Sequence, residues 1–155
     1  MPPRTIFDIS NIDLDHVKFG KDYIHTINPQ RHEFEQLDVV SYCDEKKIVG
    51  YKDVKHDEFW VKGHIPERAL FPGVLMIESA AQLASFFTKH VLGFKGFIGF
   101  GGVEECKFRL PVEPGCRFYV LVELQWSRHS RVCCKSQGLV NGNIVFEATI
   151  IGTVL

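Results

Sequence analysis

From Pro72 to Leu92 apolar residues fall on nearly every side of one continuous run, including Val74, Leu75, Ile77, Leu83, Phe86 and Phe87. No Pro or Gly interrupts it between Gly73 and Gly93. That pattern predicts one long helix, started by Pro72, stopped at Gly93 and buried rather than lying on a surface. The flanking segments have a strand period instead. Residues 37–43 and 47–54 flank a charged turn, Asp44-Glu45-Lys46, and read as a hairpin. After Gly93, residues 97–110, 117–126, 131–140 and 143–153 read as further strands, with Pro114-Gly115 and Asn141-Gly142 as turns, the second of the primed type. In the last strand Ile144, Phe146, Ala148 and Ile150 are expected on one face. Residues 1–25 are polar and poorly periodic, with one short helix expected near Leu14 to Tyr23. Strands grouped around a single apolar helix imply an α+β domain, the helix wrapped by a mostly antiparallel sheet.

The length of 155 residues suits one domain, and 45% hydrophobic with 24% charged residues is ordinary for a globular chain. The net charge of -1 gives no overall basic field that would draw nucleic acid or a membrane surface. The N-terminus has no basic segment followed by an apolar run, and no apolar stretch reaches the roughly 18 residues of a membrane span. A cytoplasmic protein is therefore expected. The five cysteines include no C-x-x-C pair, and the seven histidines show no zinc-like spacing, so reduced thiols and no metal are expected. Cys133 and Cys134 are adjacent in a strand and should point to opposite faces.

The chemistry concentrates between His64 and Gln82. His64 lies in a Pro-bounded loop leading to the start of the buried helix. On that helix Glu78, Gln82 and Ser85 form one polar stripe. A carboxylate on an apolar helix is costly unless partnered or neutral, and burial would raise its pKa and suit it to act as an acid. The Gly73 N–H, at the helix start, could bind a developing oxyanion, and a side chain there would crowd the approaching oxygen.

The string His64-Ile65-Pro66 … Pro72-Gly73-Val74-Leu75 … Glu78 … Gln82 resembles the motif H-F-P-x-x-P-x-x-P-G-V-L-x-x-E-x-x-x-Q of the FabZ-type 3-hydroxyacyl-acyl-carrier-protein dehydratases. The resemblance extends to Asn28-Pro29-Gln30-Arg31 through Leu37-Asp38, and to Lys107-Phe108-Arg109-Leu110-Pro111-Val112-Glu113-Pro114-Gly115. It covers about residues 27–153. The chain departs from the pattern at Ile65, Ala69, Gln30, Glu33, Glu35, Gln36 and Cys116. These changes spare the chemistry and bear on acyl-chain preference, carrier and pathway.

The resemblance implies a hot-dog fold over residues 27–155, with residues 1–26 as a partly helical extension. It implies a hydro-lyase of fatty-acid or related acyl-chain biosynthesis that removes water from a 3-hydroxyacyl thioester to give the trans-2-enoyl product. In that implied mechanism His64 takes the C2 proton, Gly73 stabilises the thioester oxygen, Glu78 protonates the leaving hydroxyl and Gln82 supports Glu78. No cofactor or metal is required. The partners are an acyl carrier protein with its phosphopantetheine arm and a second copy of the chain, in a homodimer or a trimer of dimers. Each site takes histidine from one chain and glutamate from the other. Phe97, Phe100 and Phe108 either edge the acyl tunnel or serve as ordinary core residues. Arg109 and Arg117 are the candidates for carrier contact. Two other functions fit the same residues: a hot-dog thioesterase using Glu78 to activate water, and a non-catalytic acyl-binding or assembly subunit.

Overall fold

The computed structural model describes residues 4–155. After a short helix α1 (Lys21–Ile27) comes a 3-10 turn at His32–Phe34, then strands β1 (Val39–Cys43) and β2 (Lys47–Val54). A long irregular loop leads to helix α2 (Gly73–His90). Strands β3 (Ile98–Phe108), β4 (Cys116–Arg128), β5 (Arg131–Val140) and β6 (Asn143–Val154) complete the chain. All six strands form one antiparallel sheet in the order β1-β2-β4-β5-β6-β3, so β3 pairs only with β6 and is left as an edge.

Local chemistry sets the connections. Asp44 Oδ1 accepts the N–H groups of Lys46 and Lys47, closing the β1–β2 turn. Asn141 and Gly142 both have positive φ, as the predicted primed turn requires. Helix α2 ends where the N–H groups of Val91 and Leu92 both return to Phe87 O, and Gly93 then takes φ +75. That left-handed step costs glycine little and stops the helix.

The sheet curls around α2, which touches β2, β3, β4, β5 and β6. Leu83, Phe86 and Phe87 of the helix and Ile48, Phe118, Val122 and Phe146 of the sheet share the main core. Helix α2 is not buried all round, however. Val74, in its first turn, is 71% exposed, and Ile77 and Ala81 are half-buried. The apolar face of α2 is therefore wider than the core that one chain supplies.

Two further expectations need correction. The first helix is not at Leu14 to Tyr23. Residues 4–18 pass through bends and turns without forming a helix, and Phe19 exchanges backbone hydrogen bonds with Val40, so helix α1 starts only at Lys21. Ile144 does not share a face with Phe146, Ala148 and Ile150. The β5–β6 register slips between Gly138 and Leu139, and this bulge turns Ile144 to the sheet's outer side. There Ile144, Val49, Leu121 and Leu139 meet Phe7 in a second cluster, with Ile6, Ile9, Ile12 and Leu14 packed against it. The segment before α1 is thus laid across the outer face of the sheet.

Candidate active site

His64 lies in the loop between β2 and α2 and is exposed. Two successive turns shape that loop. Val61 N–H donates to Glu58 O (3.1 Å), and the N–H groups of Gly63 and His64 donate to Trp60 O (3.3 and 2.9 Å). Trp60 is buried and packs against Phe71, with ring centroids 5.6 Å apart. The imidazole itself is oriented by Nδ1, 3.0 Å from Leu70 O. A carbonyl can only accept, so Nδ1 carries the proton, and the neutral ring offers its Nε2 lone pair. Nε2 is the atom free to act as a base.

The start of α2 is tied down by Phe71 N–H donating to Val112 O (2.7 Å). Pro72 is the residue before the first helical one, and its carbonyl accepts from Leu75 and Met76. The first N–H groups of a helix have no acceptor within it, so Gly73 N–H is available to an incoming oxygen. His64, Gly73, Val74, Phe108 and Arg109 line one open hollow. The structure adds a second reason why residue 73 is glycine. A Cβ there would lie 2.7 Å from Phe108 Cε1, so the Phe108 ring already occupies the space before any substrate arrives.

Glu78 projects about one and a half turns into α2. It is half-buried, and that burial holds its pKa above the usual 4.5, opposed by a hydrogen bond from Gln82. Gln82 Nε2 donates to Glu78 Oε2 (2.7 Å) and to Phe34 O (2.7 Å), while its Oε1 accepts Gln36 N–H (2.9 Å). Asn28 Nδ2 donates to Gln82 O (3.0 Å). The side-chain amide is fixed at both ends by Phe34 and Gln36, with its donor aimed at Glu78, while Asn28 holds the main-chain carbonyl of Gln82. Asn28 and Gln36 escaped notice as supports. Gln36 contributes through its backbone N–H, which any non-proline residue supplies, so its side-chain identity carried no signal.

Glu78, Gln82, Ser85, Phe100, Cys134 and Ile150 line a cavity of about 120 Å³ between α2 and the sheet. It runs along the helix to the buried Thr88, about 15 Å from Glu78 by helical rise. Phe100 lines this cavity and Phe108 lines the His64 hollow, whereas Phe97 is exposed and lines neither. His64 and Glu78 border separate hollows of one chain, and no hydrogen bond joins them.

The two arginines differ. Arg109 borders the His64 hollow, with its guanidinium paired to Glu147. Arg117 grips Asp53 through Nε (2.7 Å) and Nη2 (3.1 Å), reaches Asp15 (2.9 Å) and covers the Tyr51 ring. It borders a different hollow, beside His56 and Cys116. Among the described residues no group of three or more His, Cys, Asp or Glu could hold a metal, and all five cysteines are free. Among the described residues no helix is long and apolar enough to cross a membrane.

A six-stranded antiparallel sheet curled around one helix is the hot-dog fold. The dehydratase heterocomplex ApeI:P of Xenorhabdus doucetiae shares it at TM-score 0.72 and 11% identity, over 85% of this chain and 90% of that one. The family model of a FabA-like domain matches residues 28–149, and the chain belongs to that family. It is 36% identical to the 3-hydroxyacyl-acyl-carrier-protein dehydratase FabZ of Clostridium botulinum, over 83% of this chain and 90% of that protein. Against the FabZ of Clostridium kluyveri it is 41% identical over 68% and 75%.

Proposed function

We propose that this protein is a dehydratase that converts 3-hydroxyacyl thioesters, carried on acyl carrier protein, to trans-2-enoyl thioesters in fatty-acid or related acyl-chain biosynthesis. The observation that carries the reading is the opposite preparation of two groups. The His64 ring is held with a free Nε2, and Glu78 is pushed by burial towards its protonated form. Such a base and acid are what removal of a C2 proton and a 3-hydroxyl needs.

His64 Nε2 takes the C2 proton. Negative charge gathers on the thioester oxygen, where Gly73 N–H and the start of α2 oppose it. Glu78 gives its proton to the 3-hydroxyl, which departs as water, while Gln82 holds the carboxyl in place. The acyl chain lies in the cavity between Glu78 and Thr88. Arg109, at the edge of the His64 hollow, faces the acidic carrier; Arg117, fully engaged elsewhere, does not serve this role.

The working unit in this reading is the domain over residues 27–155, with 1–26 as an extension, acting as a homodimer in the cytoplasm. Free cysteines suit that reducing compartment. Three features support the dimer. The edge strand β3 is 11 residues long, a length at which unpaired backbone invites pairing. Phe100 and Phe108 on it stand about half exposed, and Val74 on α2 is uncovered. Joining two chains there brings His64 of one copy to Glu78 of the other.

The test mixes the protein with a trans-2-enoyl thioester and follows the enoyl absorbance and free thiol together. Loss of the enoyl band without thiol is the expected result, as hydration is the reverse reaction. Thiol release would instead mark a thioesterase, and no change a binding protein.

A further inference from the structure

Eighteen residues, 55–72, join β2 to α2 without a regular element, and His64 rides exposed among them. A base must be held within a fraction of an ångström to work, and loops do this poorly unless pinned. The pin is at the other end of the loop. Ile48 and Val54 of β2 belong to the main core, and a Cβ on Gly50 would touch Leu83 of α2. Strand alternation puts Lys52 in the same row, on the apolar face of the sheet, where it is only 5% exposed. Its Nζ lies 3.0 Å from Glu58 Oε2. The same oxygen accepts Lys55 N–H (3.0 Å), and Glu58 O accepts Val61 N–H, which starts the turns ending at His64.

A buried ion pair is a poor source of stability, because desolvating both charges offsets most of their attraction. What such a pair supplies in some proteins is a unique geometry, since a buried charge is costly away from its partner. We propose that the Lys52–Glu58 pair is a positioning device for His64: it locks the first turn of the loop to the core face of β2 and so fixes where the imidazole stands. Neither residue touches the substrate. The proposal rests on His64 being the base, as the dehydratase reading has it.

The test is the neutral double variant Lys52→Met/Glu58→Gln, in which the substituted side-chain amide oxygen still accepts the Lys55 N–H. It should fold cooperatively. Its kcat should fall by about tenfold to a hundredfold with KM within about twofold. In the nuclear magnetic resonance spectrum the His64 imidazole should lose the signature of a protonated, hydrogen-bonded Nδ1. Lys52→Arg, which keeps the charge pair, should recover most of the activity. A folded double variant with kcat within about twofold of wild type and unmoved His64 signals overturns the proposal. Should the double variant not fold, Glu58→Asp, which keeps both charges but shortens the reach of the pair, takes its place with the same readouts and the same criterion. A wild-type protein with no hydratase activity would sink the dehydratase reading instead, and the imidazole signals would still decide whether the pair orients His64.

Discussion

In the proposed mechanism the loop around His64 and the helix face around Glu78 prepare their groups by opposite means. His64 is exposed, and what readies it is orientation: one hydrogen bond to Leu70 O sets its tautomer, and a chain of turns sets its place. Glu78 stands on a rigid helix, and what readies it is burial, moderated by a Gln82 amide that is itself held by Phe34 and Gln36. A base needs a lone pair that water can leave and a substrate can reach. An acid needs a place where its charged form is unwelcome. The first is made by hydrogen-bond geometry and the second by exclusion of solvent.

That contrast is most severely strained by removing the two groups. His64→Ala and Glu78→Gln should each lower turnover by about two to four orders of magnitude while the fold survives. A residual activity near wild type in either would assign that role to another residue. Next in size is Gly73→Ala, for which a loss of about a hundredfold is expected if the oxyanion donor is displaced. The Phe108 ring complicates this site, since the new Cβ meets it first. Adding Phe108→Leu separates the causes: recovery assigns the loss to crowding by the ring, and persistence of the loss assigns it to the oxygen's approach.

Smaller effects are expected around Glu78. Gln82 donates to the carboxyl and so favours its ionised form. Gln82→Met should raise the Glu78 pKa further and slow turnover by about tenfold, readable by carboxyl carbon titration. A fall in that pKa would mean that Gln82 does not donate to Glu78. The smallest effect is on stability. The folded pKa of Glu78 lies above its unfolded value, so the folded state binds the proton more tightly. Stability is therefore lost as pH rises from the unfolded to the folded pKa, and the penalty is complete above the latter. Glu78→Gln should accordingly raise Tm by about a few degrees at neutral pH and leave it unchanged near about pH 4. An equal gain at both pH values would show a packing effect instead.

Most of the fold was legible because long-period patterns carry it. The hairpin, the central helix and four later strands fall where alternation and turn residues put them, since each element buries a face that its sequence must encode. The misses have two causes, one a partner distant in the chain and the other a local bulge. Helix α1 begins late because Phe19 pairs with Val40, and Ile144 turns outward because one bulge sits in β6. The candidate site was readable as residue types at a spacing, His64, Gly73, Glu78 and Gln82, whose roles belong to the proposed mechanism. What holds them was not. Lys52 in its strand looked like any lysine in a hairpin, and Gln36 acts through its backbone. The ring over Gly73 comes from Phe108, on a strand that pairs with the far end of the sheet.

The central claim is that two chains complete each site, and one mixing experiment addresses it directly. Inactive His64→Ala and inactive Glu78→Gln are combined under conditions that exchange subunits, with exchange followed by mass spectrometry. In a heterodimer one site then receives both lesions and the other receives none. Activity should return, up to about half of wild type per heterodimer when the sites act independently. If His64 and Glu78 instead serve the same site within one chain, every site keeps a lesion. Complete exchange without any recovery of activity would contradict the composite site.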